Sequence, residues 1–246
     1  MARGFRAADN EFAYSSIMRV ELLKRLIARR RKHDLASVTS AMNGAATQDV
    51  RAIEVVPVLA ALLSKGAPNA RTAKMLQLLR AWRANGGSRL DRDGDGKIDA
   101  PGAAILDAAW DRMSDAEFGK VLGPKLTDQL AEIFTRWDQP PDHNMFSGWM
   151  GYMDKDFRTL LGRTVRGKYS RRYCGGGTLA GCRKAMWAAL DAAGKQLAKD
   201  QGTPNPRRWR AAAEHIQFAP VPLFEMRYTN RPSGIQQVIT FTGHRR

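Results

Sequence analysis

The residues with the clearest chemical promise form a short acidic run, Asp91-Arg-Asp-Gly-Asp-Gly-Lys-Ile-Asp99. Carboxylates at alternate positions can fold inward around one hard cation, and Gly96 supplies the sharp turn that such a loop needs. On this reading the ligands of a structural Ca2+ are Asp91, Asp93, Asp95 and Asp99, with a backbone carbonyl near Lys97 adding another oxygen. The twelfth position holds Gly102 where a bidentate Glu is expected, which predicts modest affinity. The alternative is an acidic surface turn that binds no metal. A second run, Cys174-Gly-Gly-Gly-Thr-Leu-Ala-Gly-Cys182, contains the only two cysteines. Its glycines allow the tight loop that a disulfide between Cys174 and Cys182 requires, two buried free thiols being the alternative. Two sulfurs do not make a zinc site, and His143 and His215 are far away in sequence. The four histidines (His33, His143, His215 and His244) stand beside no paired Ser or Cys motif, so no conventional triad is legible and no organic cofactor is called for.

The totals bound what these residues can serve. A chain of 246 residues with 43% hydrophobic content can bury a core. No run of about 18 apolar residues appears, so no membrane span is expected. The first residues, MARGFRAADNEFAYSS, lack the apolar stretch of a secretory signal. The formal charge of +16 could attract nucleic acid or an acidic surface. The basic clusters at Lys24-Arg25, Arg29 to Lys32, Arg163 to Arg172 and Arg207 to Arg210 are scattered, however, with no DNA- or RNA-binding motif among them. A nucleic-acid partner is therefore disfavoured, and a stand-alone basic module for nucleic acid or another polyanion is the alternative reading.

Two thirds of the chain has helical periodicity. Tyr14 to Arg31 places Ile17, Val20, Leu23, Leu26 and Ile27 on one face. Helices follow over Leu35 to Met42 and over Val50 to Leu63, the latter interrupted by Pro57. Thr72 to Ala84 packs Met75, Leu76, Leu78 and Leu79 and stops at Asn85-Gly86-Gly87. Ala103 to Arg112 and Lys125 to Trp137 are further helices, with an irregular segment from Asp142 to Tyr173. Ala180 to Gln201 returns to helix, with Ala185, Trp187, Leu190 and Leu197 as core candidates. The period then changes. Phe224, Met226 and Tyr228 alternate, and Ile235, Val238, Ile239 and Phe241 follow after a turn at Asn230 to Gly234, which reads as two strands. An isolated hairpin is marginal in water, so these strands want a sheet that the rest of the chain does not offer. The fold class is thus α+β, a helical region over 1–206 followed by C-terminal strands over 207–246.

The last segment, Met226-Arg-Tyr-Thr-Asn-Arg-Pro-Ser-Gly-Ile-Gln-Gln-Val-Ile-Thr-Phe-Thr-Gly-His-Arg245, closely resembles the C-terminus of the penicillin acylase (penicillin amidase) family. Tyr14 to Leu23, Ala41-Met-Asn-Gly-Ala-Ala-Thr-Gln-Asp-Val-Arg51, the Asp91 to Asp99 loop, Leu106-Asp-Ala-Ala-Trp110 and the Cys174 to Cys182 loop are similar to family stretches in the same order. The resemblance implies a portion of an α/β/β/α sandwich of the N-terminal-nucleophile type. In such enzymes a Ser exposed by self-cleavage attacks a linear amide while its own α-amino group acts as base. N-acyl β-lactams and acyl-homoserine lactones are substrates of this kind. Gly87-Ser88 and Ser147-Gly-Trp149 do not fit the family's cleavage point in their surroundings, so no catalytic residue is carried over. The expectation is a C-terminal fragment without its own nucleophile, structural in role and partnered by the upstream portion of the enzyme. The full-length parent would be secreted or periplasmic.

Overall fold

The structure, a computed structural model, describes residues 18–133, 136, 149–165, 171–213, 215–217 and 225–227. Eight helices are described: α1 (Met18–Ile27), α2 (Leu35–Thr47), α3 (Val50–Glu54), α4 (Val56–Leu62), α5 (Ala70–Ala84), α6 (Pro101–Ile133), α7 (Met150–Leu160) and α8 (Leu179–Asp200). Single 3-10 turns stand at Cys174–Gly176 and Pro206–Arg208. Local chemistry sets several boundaries. Asp34 and Ser37 form a reciprocal capping box at the start of α2, and the side chains of Asn69 and Thr178 accept the N–H groups of Thr72 and Gly181 at the starts of α5 and α8. The break expected near Pro57 falls at Val55, and Pro57 sits in the first turn of α4, where its missing N–H costs nothing.

Four expectations change. The helix expected to stop at Arg112 runs on, because Met113 and Phe118 continue its buried face. It bends only at Gly123, whose φ of 74° a residue with a side chain rarely adopts, and Pro124 follows. Within the segment expected to be irregular, Met150, Met153 and Phe157 form a buried stripe, and that burial is what α7 is built on. In α8, Ala185 is only half-buried while Met186 and Ala189 face the core beside Trp187 and Leu190. In α1 the fully buried side chain is Leu22, with Leu23, Leu26 and Ile27 half-buried.

The core lies where α6, α8 and α5 pack on one another, with α4 laid against α5 and α7 against both α4 and α6. Met75, Leu79, Ile105, Ala109, Met113, Met186, Leu190 and Trp209 fill it. Tryptophan joins this core to the loops around it. The indole N–H groups of Trp82, Trp110, Trp187 and Trp209 each donate to a backbone carbonyl, of Ser88, Arg136, Lys65 and Thr203 respectively, at 2.8 to 2.9 Å. Each ring therefore buries apolar area without leaving its polar atom unmet. Beyond the helices, His215–Gln217 (β1) and Glu225–Arg227 (β2) pair antiparallel, Ile216 opposite Met226. The strand expected from Ile235 to Phe241 lies outside the described residues. No described helix is long and apolar enough to cross a membrane.

Candidate metal centre

The acidic loop links α5 to α6 and is stitched at both ends. Leu90 accepts from the Asp99 amide at 3.1 Å, which closes the loop on itself. The Ile98 amide donates to Ala211 and the Ala213 amide to Gly96, both at 2.9 Å, with Lys97 and Ala212 bridged between them. Ile98 is buried in the core and anchors the loop from below. Within this frame the carboxylates of Asp91, Asp93 and Asp99 bring oxygen atoms within 4.8 Å of one another. Asp91 is buried and accepts from the amides of Gly94 at 2.7 Å and Gly96 at 2.9 Å. Burial works against its charge, but these amides outweigh burial and hold the carboxyl below the ordinary range.

The arrangement fits a hard cation in part. Three carboxylates converge, as the charge count of such a site requires. Asp95, also expected as a ligand, stands apart: its carboxylate accepts the Lys97 amide at 2.8 Å and is exposed. Asp99 is shared with Arg92, whose guanidinium lies 2.6 Å from it, so a cation must compete with a built-in positive charge. Lys97, Arg208 and Arg210 line a cleft of about 620 Å³ beside the loop and add to the opposing field. The glycine at the twelfth position has a steric cause. A Cβ on Gly102 would lie 2.5 Å from the Cβ of Trp82, so the start of α6 cannot sit against α5 and also carry a Glu there.

Two buried polar clusters escaped the sequence reading. In the first, Arg51 holds Asp49 through Nε at 3.1 Å and Nη2 at 2.6 Å, and reaches Asp107 at 2.5 Å. Arg89 closes the ring on the same two carboxylates, at 3.2 Å to Asp49 and 2.9 to 3.0 Å to Asp107. The guanidinium of Arg51 also lies over the Trp110 ring. Burial opposes both charges, yet the mutual attraction holds the Asp49 carboxyl below and the Arg51 guanidinium above their ordinary values. Asp49-Val-Arg51 and Asp107 both sit in stretches already singled out by resemblance. The second cluster, Glu117, Lys155 and Asp156, lies between α6 and α7 and had no signal, Glu117 falling beyond the expected end of its helix.

Cys174 and Cys182 form a disulfide with Cα atoms 4.9 Å apart, both side chains fully buried. Gly175 is required there, since a Cβ would meet the Cys182 amide nitrogen at 1.9 Å. Among the described side chains His33 is exposed in the loop before α2. The side chains of His143, His215 and His244 lie outside the described set, as do residues 147 and 148. Ser88 accepts the Leu90 amide as a turn residue.

Comparison with known proteins decides the family. A family model described as penicillin amidase matches residues 3–243. The chain belongs to the penicillin amidase family. A solved structure of thermostable penicillin G acylase from Alcaligenes faecalis aligns to this chain with a TM-score of 0.57 and 16% identity. The alignment covers 89% of this chain and 40% of the acylase chain, so the present chain spans well under half of that relative. No curated protein sequence matches it. At that identity the likeness concerns the fold alone.

Proposed function

We propose that this chain forms the helical and C-terminal part of an amide hydrolase of penicillin amidase type, cleaving linear N-acyl bonds such as those of N-acyl β-lactams or acyl-homoserine lactones. Its own share of the work is structural, and the nucleophile is supplied by the upstream portion of the same enzyme. The observation that carries this reading is the family match over residues 3–243 together with a span of only 40% of the related acylase chain. The pair β1–β2, marginal by itself, joins a sandwich sheet built mostly by the partner portion. Asp91, Asp93 and Asp99 hold a Ca2+ that ties α5, α6 and residues 211–213 together, a structural ion that takes no part in the reaction. The Cys174–Cys182 disulfide favours an exported enzyme, because such bonds persist in oxidising compartments.

The test is amide hydrolysis with and without the partner. The purified chain should leave a chromogenic N-acyl amide intact, and should copurify and turn over substrate when coexpressed with a nucleophile-bearing upstream portion. Hydrolysis by the chain alone would sink the structural role. Failure to associate with that portion would sink the shared assembly.

A further inference from the structure

Glu117 is the one carboxylic side chain among the described residues that is fully buried with neither oxygen meeting a donor. It projects from α6 toward α7, where the groups acting on it are Asp156 and Lys155. Asp156, itself fully buried, uses its second oxygen to hold the amides of Tyr173 and Cys174, the latter at 2.9 Å. Its other oxygen lies 2.7 Å from the Lys155 ammonium, near enough for ion pairing but not aligned as a hydrogen bond. Lys155 donates to the Arg171 carbonyl at 2.7 Å and lies under the rings of Tyr152 and Tyr173. On Glu117's own helix, Lys120 reaches the Gly175 carbonyl at 3.4 Å. From α8 the disulfide partner Cys182 closes the turn and does not titrate.

The charges decide what Glu117 must be. Two carboxylates and one ammonium in a dry space would leave a net negative charge, which is costly to bury. One proton on Glu117 neutralises the cluster and turns a repulsion into a hydrogen bond. Burial first, and then the neighbouring Asp156, push the Glu117 carboxyl well above its ordinary range. We propose that Glu117 and Asp156 share one proton, and that this proton latches α7 and the disulfide turn onto α6 until rising pH removes it. The proton leaves to solvent. The two carboxylates then repel, and Asp156 loosens its hold on the amides of Tyr173 and Cys174 beside the buried disulfide.

Two measurements on the full chain test the latch. Infrared spectra at neutral pH should show the carbonyl band of a neutral carboxylic acid, lost in Glu117→Gln. Reduction of the Cys174–Cys182 bond by a phosphine should then accelerate with pH in the wild type relative to Glu117→Gln. The ratio of the two rates should grow by about tenfold between roughly pH 5 and 9, the equivalent of about one pKa unit of differential interaction. Absence of the neutral-acid band, or rates that stay parallel with pH, would overturn the proposal. Failure of Glu117→Gln to fold would overturn it as well, because the amide reproduces the shape and neutrality of the protonated acid.

Discussion

Arg51 is 1% exposed and sits between two carboxylates, a situation that ordinary surface arginines in this strongly basic chain do not share. A buried pair adds little net stability compared with a good apolar packing, but breaking it strands a charge. Arg51→Met should therefore lower unfolding free energy by about 3–5 kcal/mol, since Asp49 would be left against Arg89 alone. Denaturant midpoints of wild type and variant check this, and a loss below about 1 kcal/mol would mean that solvent reaches the network. At this scale the sequence was partly readable. Asp91, Asp93 and Asp99 announced themselves by alternation, whereas Arg51 and Arg89 could not be told from solvated neighbours, because pairing partners up to 56 positions apart leave no local pattern.

For the elements, the acidic loop makes the sharpest forecast. A bound Ca2+ stabilises only the folded loop, so millimolar calcium should raise the melting temperature and a chelator should reverse the rise. Asp91→Asn should abolish the effect, since Asp91 supplies the buried oxygens on which the loop amides converge. Arg92→Ala should tighten calcium about two- to fivefold by freeing Asp99 from an exposed ion pair, as calorimetric titration would show. Unchanged melting in calcium would reduce the loop to an acidic turn. Helix existence was legible from apolar spacing and caps, but the extent of α6 and the presence of α7 were not. Their buried faces rest on Met113 and Phe118 in α6 and on Met150, Met153 and Phe157 in α7, and burial against α4 and α8 decides.

Across the whole molecule the ionisable groups predict the shape of stability against pH. Asp49, Asp91, Asp99 and Asp191 all titrate below their ordinary range, Asp191 chiefly through Lys195, Asn69 and Thr72 and the others through amides or arginines that outweigh burial. A depressed carboxyl contributes stability that is present above its unfolded pKa, near 3.8 here, and lost as pH falls through the lower folded value. Glu117 has the opposite sign: its contribution is complete below about 4.5, its unfolded value, and fades as pH rises through the folded one. Melting temperature should thus fall steeply in acid and decline gently toward alkaline pH. A profile that climbs continuously above pH 5 would contradict the sign assigned to Glu117. The sequence by itself determined the helical class, the alternating carboxylates, the glycine-framed cysteine loop and, through an ordered set of motifs, the penicillin amidase family. Those features are local, written within a turn, a loop or a helix face. Tertiary structure alone decided that Asp95 leaves the carboxylate cluster, that Trp82 denies Gly102 a side chain, and that Glu117 meets Asp156. Each of these depends on which elements approach one another, and long-range approach is set by packing of the whole core.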